Sequence, residues 1–348
     1  KLVTSLTYPA MKKIFVTLIL FIGMMSNVFA QEPDYLFMIA QAVKAPSGHN
    51  TQPWLFKIAD GEIDILPDFT KSLPVVDPNH RELFVSLGCA AENLCIAAAH
   101  KGYETRVTVT HEGVIKVFLT KQSHHMESPL FAQIALRQTN RSRYDGRIVP
   151  EDSIVSLKNI GAEPSIGVHY YKNGSAEYTT ITEMVYAGNR LQMHNKAFKT
   201  ELQQWMRYNK KHQNATKDGL SYAVFGAPNV PKFIAKPIMA NAINEKKQNK
   251  SDAKNIASAS HLVLLTSQDN TIEQWVNLGR TLERLLLRST QMGIAHAYLN
   301  QPNEEPTLAV ELAQKLGLTN EHPTILIRIG YGKNMPYSLR REAKVERD

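Results

Sequence analysis

Blocks of alternating and helical spacing divide the chain into elements. Tyr35–Ala42 carries helical spacing and is closed by Lys44-Ala45-Pro46. Trp54–Ile58 and Glu62–Leu66 alternate on either side of Asp60-Gly61, which predicts a hairpin. Asp77-Pro78 opens an Ala- and Leu-rich helix over Arg81–Lys101, ended by Gly102. Arg106–Thr110 and Val114–Leu119 flank His111-Glu112-Gly113 as a second hairpin, and Gln122–Glu127 reads as a polar connector. A new unit starts at Ser128-Pro129, with a short helix through Leu136 and a turn at Tyr144-Asp145-Gly146. A strand at Ile166–Tyr171 and helical stretches over Ser175–Lys211 and Val230–Glu245 follow, while charge-rich Lys246–Lys254 reads as solvated. Strands at His261–Thr266 and Thr324–Ile329 bracket a helix over Asn270–Met292. Strands mixed with long helices, hairpins included, predict an α+β fold, a sheet covered by helices.

The 348 residues suffice for two ordinary domains or one elaborated one, at roughly 100–200 residues each. A hydrophobic share of 43% and a charged share of 21% exclude a disordered chain, a collagen-like one and a disulfide-stapled miniprotein. The net charge is +8, and without Lys1, Lys12 and Lys13 it falls to +5. So mild an excess, with no basic stripe, gives no reason to expect a nucleic-acid partner.

Residues 1–30 contain no acid, and Lys12-Lys13 precedes an uncharged apolar run, Ile14–Met25, that ends in Ser26-Asn27-Val28-Phe29-Ala30. Positive, apolar and small-residue regions in that order predict a secretory signal cut after Ala30, and hence a periplasmic or secreted protein. An uncleaved anchor is the competing reading, but the run is shorter than the ~20 residues of a membrane span. No stable membrane insertion is expected after cleavage. Cys89 and Cys95, the only cysteines, lie six apart on one expected helix, about 240° apart in angle, so they cannot meet. They read as buried, inert thiols.

The sequence holds no P-loop, H-E-x-x-H, C-x-x-C or G-x-S-x-G pattern. No metal site is expected, and His124-His125 reads as a solvated pair in the polar connector. The informative stretch is Ala45-Pro46-Ser47-Gly48-His49-Asn50-Thr51-Gln52-Pro53-Trp54. Pro46 stops a helix, and Pro53 pushes Gln52 towards extended backbone. The carboxamides of Asn50 and Gln52 could complement a heterocycle edge that alternates N–H and C=O. On residue types alone, a capped helix–strand connection with no ligand suits the segment equally. Arg137, Thr139 and Arg141 could present two guanidinium forks and a hydroxyl to one anion from a helix end, or form a solvated basic end. Arg280, Arg284 and Arg288 make a stripe that reads as a solvated helix face. Trp205 and Arg207 read as helix packing and surface.

The stretch Ala45–Trp54 resembles the A-P-S-x-x-N-x-Q-P-W segment of the nitroreductase superfamily, and S-x-H-N-x-Q-P-W resembles its internally duplicated, Acg-like branch. Asp77-Pro78 with Arg81-Glu82-Leu83 and Gly88-Cys89-Ala90 resembles that branch's D-P…R-E-L…G-x-A helix. Arg137-Gln138-Thr139-Asn140-Arg141 resembles the nitroreductase R-x-S/T-x-R motif. Gly279-Arg280, Asn300-Gln301-Pro302 and Arg328-Ile329-Gly330-Tyr331-Gly332 resemble its carboxy-terminal helix, loop and strand, and Arg340-Arg341 its late basic pair. The resemblance covers most of Tyr35–Arg341 and is weakest through Ala187–Lys254.

This resemblance implies an α+β fold in which two halves of one chain form a pseudo-dimer around a flavin. The halves would be residues 31–127 and 128–348, the second with an insertion at about 187–254, and a monomer could be self-sufficient. It implies FMN as cofactor, with Ser47, His49, Asn50 and Gln52 at the ring and ribityl side. Arg137, Thr139 and Arg141 would sit at the phosphate, with Asn300, Gln301, Arg340 and Arg341 as further candidates. The implied activity is electron transfer to a small acceptor such as a nitroaromatic or quinone. An FMN-sequestering protein and a flavin-free cell-envelope interaction protein are the alternatives.

Overall fold

The structure, a computed structural model, describes residues 32–123 and 128–347. The expected leader and His124-His125 lie outside the described residues.

Helix α1 (32–42) leads to the first sheet, built from β1 (Trp54–Ala59), β2 (Glu62–Pro67), β3 (Tyr103–Val109) and β4 (Ile115–Lys121). Helix α2 (Arg81–His100) lies between β2 and β3. The second sheet holds β5 (Ile166–Lys172), β6 (His261–Ser267), β7 (Ala295–Tyr298) and β8 (His322–Gly330). Between β5 and β6 the chain inserts α3 (Ala176–His194), α4 (Lys196–Trp205), α5 (Lys232–Ala242) and α6 (Glu245–Ala257); α7 (Ile272–Gln291) joins β6 to β7. The fold is α+β, as expected, but the covering helices serve two sheets.

Both sheets have one topology. The first runs β1-β2-β4-β3 and the second β5-β6-β8-β7, with every one of these neighbours antiparallel. Each therefore reads strand, strand, long helix, strand, strand in the chain. The last strand, β9 (Val345–Arg347), returns to the first sheet and pairs in parallel with β1, Phe56 opposite Val345. The sheets differ in cover. β1 alternates buried and half-buried positions, the mark of one packed face, whereas all of β6 is buried. Tyr178, Ile181 and Val185 of α3 close the second face of that sheet against Leu262, Leu264 and Leu326.

Helices α2 and α7 form the centre. Each has 20 residues, and each has glycine at its eighth position, Gly88 and Gly279. A Cβ at Gly88 would lie 2.1 Å from the Val276 carbonyl oxygen, and one at Gly279 would lie 2.1 Å from that of Val85. Val85 and Val276 are both fifth residues of their helices, so the contact is reciprocal, as across a two-fold axis. Phe84 and Trp275, both fourth, stack with centroids 6.4 Å apart. One hydrophobic core runs from Phe56, Ile63 and Val117 of the first sheet through both helices to Val263, Leu265 and Ile327 of the second.

Several sequence expectations are corrected. The helix expected over Ser128–Leu136 forms only at Gln133–Leu136. Lys246–Lys254 is not solvated throughout: it belongs to α6, which buries Asp252 and Ile256 at i and i+4. Arg207 is buried, with Nη2 2.6 Å from Asp218. Arg280 and Arg284 do not face water either. They bind Glu92 of α2 at 3.1 and 2.6 Å and Glu163 at 2.9 and 2.7 Å. Arg288 donates to Ser156. Cys89 and Cys95 are buried free thiols, and burial raises the pKa of both.

Candidate functional site

A cavity of about 710 Å³ opens beside the central helix pair. The turn after α1, the first half of α2, the segment 137–142, the loop after β7 and the segment 335–340 form its base and sides. Its roof comes from the insertion: Met193, Phe198, Leu202, Met206, Phe225 and Met239 contribute an apolar wall.

The loop Ser47–Gln52 is held in an unusual backbone. His49, Asn50 and Gln52 have φ of 48°, 57° and 55°, in the left-handed region that non-glycine residues seldom occupy. Such residues cost on the order of 1–3 kcal/mol each and persist where their surroundings over-determine them. Here the restraints are explicit. Ser47 Oγ accepts from the Gln52 amide at 3.0 Å, and the Gly219 amide donates to the Asn50 carbonyl at 3.1 Å. Arg340 donates to Asn50 Oδ1 at 2.9 Å and to the carbonyls of Lys44 and Ala45. The Arg341 amide donates to Gln52 Oε1 at 2.8 Å, and Arg341 Nη2 donates to the carbonyls of Thr51 and Gln52.

Ser47, His49, Asn50, Arg137, Thr139, Arg141, Asn300, Gln301 and Arg340 all line the cavity. Gln52 and Arg341 do not. The Gln52 carboxamide is used at both ends, donating to the Lys217 carbonyl at 2.9 Å and accepting from Arg341, so the pair fastens the loop from behind.

Arg137 and Arg141 do not present a helix-end pair. Arg137 leaves the short helix extended (φ −63°, ψ 131°), and Thr139 bridges His296 of β7. Arg137 has an acid beside it: its Nε lies 3.3 Å from Oε1 of Glu283, both side chains buried, and its Nη2 donates to the Lys44 carbonyl at 2.8 Å. Burial pushes the Glu283 carboxyl up to about 7, with Arg137 pulling the other way. Arg141 forms no hydrogen bond or ion pair among the described residues and lies 5.5 Å from the Phe225 ring centre. Burial lowers its pKa to about 10, and Arg328 adds to the effect.

Other polar atoms on or beside the wall lack partners among the described residues. They include Nδ1 of His49, both ring nitrogens of His296, Nη1 of Arg328, Nε of Arg340 and Oε1 of Gln301. Burial, then Arg141, lowers His49 to about 4; burial, then Arg137, lowers His296 to about 3, so both rings are neutral at pH 7. Buried polar groups without partners are costly. Their concentration around one cavity, with an uncompensated cation among them, fits an anionic ligand carrying several hydrogen-bonding groups.

Sequence reasoning missed the carboxyl side. Glu82 accepts from Asn300 Nδ2, whose Oδ1 accepts from the Leu326 amide and from Asn303. Burial, with Glu304 and Asp77 nearby, raises Glu82 well above the carboxylate range. Burial pushes Glu304 up to about 7. Asp252 accepts from Asn189, Gln248 and Gln301. Nothing in the spacing of Glu82, Asp252 and Glu304 marks them, because three separate helices bring them together.

No protein-family profile matches the chain. Two Mycobacterium tuberculosis proteins, provisionally named NAD(P)H nitroreductases, are 27% identical to it over 139 residues, 38% of this chain. That match spans 40% of the length of each relative. Among solved structures, the FMN-dependent nitroreductase NfnB of Mycobacterium smegmatis, in complex with NADPH, aligns over 58% of this chain and 86% of its own at 15% identity, with a TM-score of 0.38. A Bacteroides fragilis nitroreductase with bound FMN aligns over 60% and 90% at 14% identity, with a TM-score of 0.36. The motifs from Ala45 to Arg341 and the names of the mycobacterial relatives point the same way, to a likeness with the nitroreductase superfamily over part of the chain.

Proposed function

We propose that the cavity holds FMN and that the chain is an exported oxidoreductase passing electrons to a small acceptor such as a nitroaromatic or a quinone. The observation that carries this reading is a positive charge without counter-charge on the cavity wall: Arg141 forms no ion pair or hydrogen bond among the described residues, and Arg328 and Arg340 line the same cavity. The volume of about 710 Å³ falls within the roughly 300–1,000 Å³ of cofactor and small-molecule sites. A phosphate provides what the cations lack. Ser47 and Thr139 bring hydroxyls and Gln301 a carboxamide oxygen without a partner, groups that suit a ribityl chain and a heterocycle edge, while the carboxamides of Asn50 and Asn300 are bonded within the protein and shape the wall.

Bound FMN would supply the redox chemistry, which needs no side-chain nucleophile. The chain's own residues bind, orient and exclude water. Arg141 and Arg340 hold the anion, while the Arg137–Glu283 pair and Arg340 fix the turn at Lys44 and Ala45. Burial raises the Glu82 carboxyl and pushes that of Glu304 up to about 7, so Glu304 exchanges its proton around neutral pH. The apolar roof keeps bulk water away.

Arg141→Ala tests the assignment. A charge-assisted bond is worth roughly 1.5–3 kcal/mol, so FMN affinity should fall about tenfold to a hundredfold and riboflavin affinity much less. Equal losses would refute the phosphate role. A purified protein that is colourless and takes up no FMN would leave the flavin-free alternative. Export is checked by amino-terminal sequencing of secreted protein, with Gln31 expected first.

The roof favours a second reading, an FMN-holding protein with little nicotinamide turnover. Stopped-flow mixing of the FMN-loaded protein with NADPH separates the two: fast loss of the flavin band rejects sequestration.

A further inference from the structure

Helix α5 carries an apolar face that the fold does not use. Phe233 is 79% exposed, Ile238 63% and Ile234 41%. With Pro237 they occupy positions i, i+1, i+4 and i+5, one face of a helix. Ala235 is the only buried residue of α5. Scattered apolar residues on a surface need no explanation, but a contiguous patch does.

The patch is also the lip of the cavity. Ile238 and Phe225, the latter 46% exposed, belong to both the outer surface and the cavity wall. Around it the charge is one-sided. Between residues 209 and 250 eight exposed lysines, at 210, 211, 217, 232, 236, 246, 247 and 250, stand against two acids, Asp218 and Glu245. Asp218 is already held by Arg207. Lys232 and Lys236 run beside the apolar face. The Lys210 amide donates to Asn229 just before α5, and Lys247 Nζ donates to the Asn241 carbonyl near its end, so lysines stand at both ends of the helix.

We propose that this face docks the cavity mouth on an anionic lipid bilayer. Helix α5 lies in the headgroup plane, Phe233, Ile234 and Ile238 enter the acyl boundary, and the flanking lysines meet the anionic headgroups. A second copy of the chain would bring the same lysines to the same patch, and like charges would oppose the contact. A bilayer brings the opposite charge. The docking does not depend on what the cavity holds.

A probe on α5 tests this in the full chain, separately from any contribution of the amino-terminal segment. Ile234→Cys is labelled with an environment-sensitive fluorophore, Cys89 and Cys95 being buried. On vesicles of phosphatidylglycerol with phosphatidylcholine, emission should shift to the blue and be quenched by spin-labelled acyl chains, reversibly with salt. Vesicles of phosphatidylcholine alone should do neither. Adding Phe233→Glu and Ile238→Glu should cut the probe's vesicle response at least tenfold while far-UV circular dichroism and melting stay unchanged. A probe that stays in water on anionic vesicles overturns the proposal. So does an equal response to neutral vesicles, or a probe shielded without vesicles in a protein that sediments as a dimer, which would make the partner a second copy.

Discussion

The two flanks of the α2–α7 crossing are equivalent in topology and opposite in content. On one flank, Cys89 and Asn93 of α2 face Glu283, and the segment leading into β1 supplies Ser47, His49 and Asn50 to an open cavity. On the other flank, the matching stations of α7 are Arg280 and Arg284, facing Glu92. There the segment leading into β5 supplies Glu163, along with the Gly161 carbonyl that accepts from Arg284 at 2.6 Å. Two carboxylates answer two guanidinium groups, and every charge has its partner in place. On the cavity flank Arg141 has none. The lesson is one of pairing: a cleft in which each guanidinium meets a carboxylate closes on itself, and one that leaves Arg141 without a partner among the described residues has room for an anion.

The largest effect expected from breaking this contrast is on the closed flank. Glu92→Ala leaves Arg280 and Arg284 to share Glu163 alone in a site only 16–18% exposed, one carboxylate for two guanidinium groups, and breaking a buried ion-pair cluster in this way should cost up to about 3–5 kcal/mol. Urea unfolding should register that loss, and FMN affinity should stay within about twofold. A large loss of FMN affinity would mean that the flanks are not independent.

Next is the crossing itself. Gly279→Ala drives a methyl against the Val85 carbonyl, so the helices must separate, at a cost of about 1–3 kcal/mol for overpacking. Because the contact serves both flanks, stability and FMN binding should fall together.

Arg141→Ala sharpens the comparison from the other side. The loss of FMN affinity should come with a change in stability of the apoprotein of less than about 0.5 kcal/mol, since no partner is stranded. A stability loss near that of Glu92→Ala would show that Arg141 has a structural anion of its own.

The last effect is a pH dependence. Glu304 has a folded pKa of about 7 against 4.5 in the free side chain, so between these values the folded chain holds a proton that the unfolded chain releases. Stability must therefore fall as pH rises through that window. Glu304→Gln removes the titration, and its stability should gain on the parent as pH rises from about 4.5 to 7, by up to about 3 kcal/mol, read from melting curves at each pH. Parallel profiles would place the Glu304 carboxyl in its ordinary ionised state.

The sequence was most legible where neighbours in the chain decide the outcome. Asp60-Gly61 fixes the β1–β2 hairpin, and Gly102 and Gly293 end the two long helices close to where their spacing predicts. It was least legible where distant groups decide. Periodicity placed Arg280 and Arg284 on one face of a helix, but their partner Glu92 lies about 190 residues earlier. The charges around Lys246–Lys254 hid Asp252, which turns inward alone among lysines that do not. The A-P-S segment located the cavity, yet it could not tell Asn50, on the wall, from Gln52, fastened behind it.

Carrying both helices in one chain has a genetic consequence. In an assembly of two identical subunits every substitution is made twice, once on each side of the axis, so a change that fills one pocket fills both. Here the ninth residue of one central helix is Cys89 and that of the other is Arg280, and selection can act on each alone. The two-fold relation lies in the backbone, at Gly88 and Gly279, while the side chains around it differ.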